Sequence, residues 1–209
     1  TQKPVTVSDK WRILIVDDED DIHQATQFAF AINNEYIYQG QKLEFLHAYS
    51  AQQAKELLHQ YPDVAIILLD VVMETHDAGL KLVEYIRDTL QNHFVRIILR
   101  TGQPGHAPEQ EVIVKYEIND YQNKTELSTL KLFTVVTASL RAYSDLKQLD
   151  LLRQHLEEKV LERTQELQAK YTEIVMLNHE LEKLNQEKNE FLGIAAKKKK
   201  NPLSAILGL

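Results

Sequence analysis

Six apolar residues in a row followed by one acid, VAIILLD at 64–70, constrain this chain more than any other stretch. A strand with one wet face alternates apolar and polar residues. A run with no polar position belongs to a strand covered on both faces. WRILIV (11–16) and VRIIL (95–99) have the same buried character, and LEFLHAY (43–49) is more mixed. A shorter strand is expected at 118–122. Helical patterns at 21–33, 51–60, 78–89 and 108–116 separate these runs, and a further helix starts near Glu126. Strands without a polar face, alternating with helices, predict an α/β fold with a five-stranded, parallel, doubly wound sheet. Such sheets bind ligands at the carboxyl ends of their strands.

From Leu140 to Glu190 the character changes: there is neither proline nor glycine, and Leu, Glu, Lys, Gln and Arg dominate. Leu149, Leu152, Leu156, Val160, Thr164, Leu167, Tyr171 and Ile174 recur at steps of three and four, the seam of a coiled coil. After Ile174 the seam continues through Leu177, Leu181, Leu184 and Phe191. Two successive steps of three across Tyr171, Ile174 and Leu177 imply a stammer, a local overwinding. A lone helix of this kind exposes its seam, so a long α-helical parallel coiled coil in a homodimer is expected. The alternative, a helix folded back on its own domain, lacks a turn signal inside the stretch.

Several function classes fall away. A formal net charge of −7 offers no attractive field to nucleic acid or an anionic membrane. With no cysteine, disulfides and thiol chemistry are excluded. TQKPVTVSDK lacks the apolar core of a signal peptide, and VAIILLDVVM is too short to span a bilayer. A cytoplasmic protein without direct membrane insertion is expected. The histidines show no HExxH spacing, which argues against zinc.

The residues that end the strands are chemically distinctive. The first strand runs into Asp17, Asp18, Glu19 and Asp20, the third ends in Asp70, the fourth reaches Thr101, and the last leads to Asp120, Tyr121 and Lys124. Strands one and three are neighbours in a doubly wound sheet, which brings Asp17, Asp18 and Asp70 to one edge. Clustered carboxylates repel, and their pKa values rise without a counter-charge. A magnesium ion suits such a set, taking carboxylates and water while leaving room for phosphate oxygens. A lysine opposite and a hydroxyl nearby complete the equipment for phosphoryl transfer to a carboxylate. A plainer reading gives Asp17, Asp18, Glu19 and Asp20 to the cap and first turn of a helix. Thr101 would then be a turn residue and Tyr121 a surface aromatic. Asp70 resists that reading, because an acid closing a buried run is costly without a purpose.

Over about residues 11–140 this constellation resembles the receiver domain of two-component response regulators, the CheY-like family with a flavodoxin-like fold. The resemblance implies that Asp70 is the phosphoacceptor. It implies that Asp18 binds Mg²⁺ directly, Asp17 mainly through water, and Val72 through its backbone carbonyl. Thr101 and Lys124 would contact the phosphoryl group, and Tyr121 would be the aromatic switch. The chain departs from the family pattern at Glu74 and Thr125, where prolines are usual, and Asp70 to Gly79 is one residue longer than the common spacing. The glycine- and proline-rich loop TGQPGHAPEQ (101–110) is a candidate output surface.

The coiled-coil stretch resembles the signalling helices that feed sensor histidine kinases, and FLGIAAKKKKNPL (191–203) resembles that family's phosphoacceptor helix. Phe191, Leu192, Gly193, Ala196, Lys200, Asn201, Pro202 and Leu203 fit the pattern. Lys197 stands where the phosphoacceptor histidine belongs, and Lys198 and Lys199 replace the acid and the apolar residue after it. The alternatives are a solvated basic end or a nucleic-acid or membrane patch. The expected organisation is a receiver at 1–140 with its core at 11–137, a dimeric signalling helix at 141–190, and the start of a kinase dimerisation helix at 191–209. The resemblance implies a phosphorelay protein, served by a cognate histidine kinase or phosphotransfer protein. This stretch would carry no kinase activity of its own. A constitutive dimeric adaptor is the alternative.

Overall fold

A computed structural model of the chain describes residues 10–31, 37–102, 110–124 and 128–206. The chain divides into two units, Thr1–Asp150 and Leu151–Leu209. In order, the elements are β1 (Lys10–Val16), α1 (Asp20–Ala31), β2 (Ile37–Tyr38), β3 (Gln41–Ala48), α2 (Ala51–Gln60), β4 (Val64–Asp70), α3 (Ala78–Glu84), β5 (Arg96–Thr101), α4 (Gln110–Lys115), β6 (Asp120–Asn123) and α5 (Thr129–Ile206). A π-helical turn at Tyr85–Thr89 extends α3, so the helix expected at 78–89 is continuous but overwide at its end.

The sheet order is β2-β3-β1-β4-β5-β6. Five strands, β3-β1-β4-β5-β6, are parallel as expected. The sixth, β2, is an unexpected two-residue antiparallel edge strand on β3. Gln39 and Gly40 between them both take positive φ, 52° and 81°, as a tight hairpin turn requires. The Trp11 indole donates to the Tyr38 carbonyl at 2.9 Å and fastens this edge. Two residues carry no periodicity, so no pattern announced them.

The continuous apolar runs are explained by the layers. Leu14, Val16, Ile67, Leu69, Ile97 and Leu99 pack against Ala54 and Leu58 of α2 and Leu82 and Val83 of α3. Their neighbours Ile13, Ile15, Ile66, Leu68 and Ile98 pack on the other face, against Phe30 of α1 and Leu132, Val136 and Leu140 of α5. Successive residues of one strand therefore feed opposite cores, each buried side chain contributing about 1.5–3 kcal/mol. The last strand begins at Asp120 rather than 118, because the Asn119 side chain caps Ile97 N at 2.8 Å before β6 starts.

The second unit is helix throughout its described length, the continuation of α5. Its seam residues Leu152, Leu156, Val160, Leu167, Tyr171, Ile174, Leu177, Leu181 and Leu184 are all exposed in the single chain. Among the described residues no helix is long and apolar enough to cross a membrane.

Candidate functional site

The carboxyl ends of β1 and β4 lie side by side, with Val16 paired to Leu69. Asp17 continues β1 by donating its N–H to the Ala48 carbonyl at 3.1 Å, and its Oδ1 accepts the Glu19 N–H at 3.1 Å. That second bond turns the chain into α1. Asp17 thus does the helix-entry work of the plainer reading, yet its side chain is only 1% exposed. Asp70 closes β4 and is 4% exposed, with Oδ1 accepting the Val72 N–H at 3.3 Å.

Lys124, just after β6, reaches across the sheet edge. Its Nζ lies 2.9 Å from Asp70 Oδ2, 3.0 Å from Asp17 Oδ2 and 3.1 Å from Glu19 Oε1. One carboxylate oxygen each from Asp17, Asp18, Glu19 and Asp70 lies within 4.8 Å of the others. Burial pushes the Asp70 carboxyl above its usual range, and the Asp17 charge adds to the shift. Lys124 and the Val72 N–H oppose it. Burial alone would lower the Lys124 ammonium, but its hydrogen bonds to Asp70 and Asp17 outweigh that and hold it above the ordinary lysine value. Asp17 Oδ2 has no hydrogen bond of good geometry despite the nearby ammonium. Hard oxygen donors and a surplus of negative charge fit a magnesium ion.

The other expected residues surround this centre. Asp18 is exposed with its carboxylate in the cluster. Val72 is half-buried two residues beyond Asp70. Thr101 ends β5, the strand beside Asp70, and is buried. Tyr121 on β6 is half-buried, and its hydroxyl, itself buried, has no hydrogen-bond partner. Lys197 lies in α5, its side chain outside the described residues. Thr125 and the loop at 103–109 are also outside them.

Four features escaped sequence reasoning. Gly79 N donates to the Val71 carbonyl at 3.1 Å, and a Cβ there would meet the Asp70 carbonyl oxygen at 2.1 Å. The glycine lets α3 sit directly on the backbone that carries Asp70. Glu74, in place of the family's proline, accepts the Ala51 N–H at 2.8 Å and ties the loop after β4 to the start of α2. A histidine pair runs beneath the acids: His23 Nε2 lies 2.8 Å from the Asp17 carbonyl, His23 Nδ1 lies 2.9 Å from His47 Nδ1, and Gln27 Nε2 lies 2.7 Å from His47 Nε2. A carbonyl only accepts, so His23 carries its proton on Nε2 and accepts at Nδ1 from His47. The fourth is Arg100, buried beside Asp70 on β5.

No protein-family model matches the chain. Over 136 residues it is 48% identical to the protein named 3'3'-cGAMP-specific phosphodiesterase 2 of Vibrio cholerae serotype O1. That match covers 65% of this chain and 26% of the relative, so the chain spans about a quarter of the curated protein it matches. Among solved structures, a CheY-like response-regulator receiver domain from Methanospirillum hungatei aligns with a TM-score of 0.52 at 18% identity, covering 65% of this chain and 98% of that one. A receiver domain of a histidine kinase from Clostridium thermocellum aligns with a TM-score of 0.50 at 18% identity, covering 62% and 97%. The first unit therefore has the fold of a CheY-like receiver domain, the fold typical of two-component signalling. Receiver domains usually bind Mg²⁺ at an acidic cluster, and this chain has one in Asp17, Asp18, Glu19 and Asp70.

Proposed function

We propose that the chain is a phosphorylation-controlled regulatory module in which Asp70 accepts a phosphoryl group and α5 carries the result onward. The observation that carries this reading is the buried Asp70 carboxylate, 2.9 Å from the Lys124 ammonium, at the centre of four clustered acids. A histidine kinase or phosphotransfer protein is the natural donor. An Asp70 oxygen attacks the phosphorus, the bond from the donor's imidazole nitrogen to phosphorus breaks, and the imidazole keeps the electron pair. Asp18 would hold a magnesium ion directly, Asp17 mainly through water and Val72 through its carbonyl; the ion supplies charge neutralisation for the phosphoryl oxygens. Lys124, 2.9 Å from Asp70, would exchange part of that pairing for a phosphoryl oxygen. Thr101 would receive another oxygen, and Tyr121, with its unpartnered hydroxyl, would turn inward as the switch.

We assign the receiver to 1–140, the signalling helix to 141–190 and a kinase-type dimerisation helix to 191–209. Lys197 stands at the histidine position, so this stretch would have no phosphoacceptor histidine of its own. The exposed seam from Leu149 to Phe191 supports a parallel coiled-coil homodimer, and phosphorylation would bias its stammer near Ile174. Likeness to part of a Vibrio phosphodiesterase supports a receiver borne on a larger signalling protein. The same exposed seam also favours a second reading, a constitutive dimeric adaptor.

The test is intact mass after incubation with Mg²⁺ and acetyl phosphate, comparing the chain with Asp70→Asn. One added phosphoryl group on the parent and none on the variant is expected. No addition to either, where a control receiver is labelled, refutes the phosphoacceptor reading and leaves the adaptor.

A further inference from the structure

Two arginines are buried among the described residues, and they are solved differently. Arg87 donates to the carbonyls of Tyr116, Asn92, Val95 and Glu117, joining α3 to the strand and turn around it. That is a scaffold role with its hydrogen bonds met. Arg100 is 4% exposed, and its Nη1 donates to Thr26 Oγ1 of α1 at 3.0 Å. Thr26 gives its own proton to the Ile22 carbonyl, so it only accepts from the arginine. Arg100 Nε has no partner. Opposite Arg100 on β6, the buried Gln122 has an unpartnered Oε1.

The position of Arg100 explains why such a group is kept. It pairs directly with Asp70 across β4 and β5. Ile98, two residues before it, packs in the same layer as Leu68, two residues before Asp70. Strand alternation puts Arg100 and Asp70 on one face of the sheet. Burial depresses the guanidinium's proton affinity, while the charges of Asp17 and Asp70 support it. A buried charge without full hydrogen bonding is costly unless opposite charge lies nearby. With Lys124 and Arg100 both counted, four carboxylates face two cations. Two negative charges remain, the charge of one divalent cation.

We propose that Arg100 is a second resident cation of the acidic pocket, a positioning residue that acts on Asp17 and Asp70 from beneath the site and sets how tightly the pocket takes a divalent ion. It holds the pocket one charge short of excessive affinity, so that an ion binds without locking the acids. When Asp70 gains a phosphoryl group, the same fixed charge offsets part of the addition. The inference rests on the phosphoacceptor reading of the site.

The experiment is calorimetric titration of the full chain with Mg²⁺ at fixed ionic strength, in the parent, Arg100→Met, Arg100→Lys and Asp70→Asn. Removing a unit charge roughly 10 Å from a divalent ion, in a medium between protein and water, is worth about a tenfold change in affinity. Arg100→Met is expected to bind Mg²⁺ about tenfold tighter. Arg100→Lys keeps the charge and loses the fork, and should stay within about threefold of the parent. A purely structural arginine predicts the opposite: loss of fit would leave affinity unchanged or weaker in both variants. A folded Arg100→Met with parent-like or weaker affinity overturns the proposal. If that variant does not fold, Arg100→Gln, which also removes the charge, takes its place, and parent-like or weaker affinity there overturns the proposal. A parent that takes no Mg²⁺ and matches Asp70→Asn overturns the site reading itself, a failure distinct from that of Arg100 alone.

Discussion

Gly79→Ala is a one-methyl perturbation whose consequence is set by backbone geometry. The added Cβ would lie 2.1 Å from the Asp70 carbonyl oxygen, 2.8 Å from Val71 Cα and 3.0 Å from the Asp70 carbonyl carbon. All three obstacles are backbone atoms, so no side chain can swing aside. Relief requires α3 or the loop after β4 to move by about 1 Å, which also breaks or stretches the Gly79 N–H to Val71 bond. Overpacking of this kind costs about 1–3 kcal/mol, and the absence of a flexible partner puts Gly79→Ala at about 3 kcal/mol. For a unit the size of Thr1–Asp150 that lowers the melting temperature by about 6–12 °C. Trp11 packs inside the first unit, its ring centroid 6.1 Å from that of Tyr143, so its fluorescence during heating is the suitable probe of that unit. The shift also displaces Asp70 and the Val72 N–H, so Mg²⁺ binding should weaken. Gly40→Ala is the contrast: φ is +81° with open space around it, so it brings strain of about 1 kcal/mol and no change in Mg²⁺ affinity. A Gly79→Ala protein melting within about 2 °C of the parent with unchanged Mg²⁺ binding would refute the close-approach argument.

Lys124→Met removes a side chain 2.9 Å from Asp70 and 3.0 Å from Asp17, leaving the acids unopposed. Without metal it should lose about 2 kcal/mol, discounted because Glu19 on one side is exposed, and its Mg²⁺-dependent gain in melting temperature should exceed the parent's. The Asp70 carboxyl is raised by burial, so the folded state holds its proton more tightly than the unfolded state does, and an ionised Asp70 costs stability above the usual carboxylate range. Metal-free Asp70→Asn should therefore melt higher than the parent at pH 7, with the gain fading as pH falls through the raised Asp70 pKa and gone below the ordinary aspartate value; a gain independent of pH would contradict the burial argument. In the second unit, Leu156→Glu with Leu167→Glu places charge at two exposed seam positions, and sedimentation should change from dimer to monomer. A parent that sediments as a monomer would dispose of the coiled coil.

The receiver was legible where local pattern and chemistry coincide. Three of the parallel strands, β1, β4 and β5, carry short apolar runs, and the functional acids stand where two of those runs stop: Asp17 after Val16, Asp70 after Leu69. Lys124 was legible for the same reason, one residue past β6. The edge strand β2 was not, because its stability comes from a hairpin turn and the Trp11 indole rather than from its own residues. The histidines looked scattered because no spacing along the chain relates position 23 to position 47; packing of α1 against β3 does. Glu74 read only as a missing proline until its carboxylate was found on Ala51 N.

By itself, then, the sequence determined the parallel sheet and the long helix, because strands covered on both faces and a helix with apolar residues at steps of three and four write different periods into the chain. It also determined which acids would end β1 and β4. The tertiary structure alone decided the charge balance of the site. Arg100 reads in sequence as a polar residue near a strand end, and Gly79 only as the end of the spacing that follows Asp70. Strand register sets the first beside Asp70, and the close seating of α3 sets the second against its backbone. Periodicity reports how each residue meets its own layer. Which distant residues share a pocket depends on register and helix docking, which only the folded chain fixes.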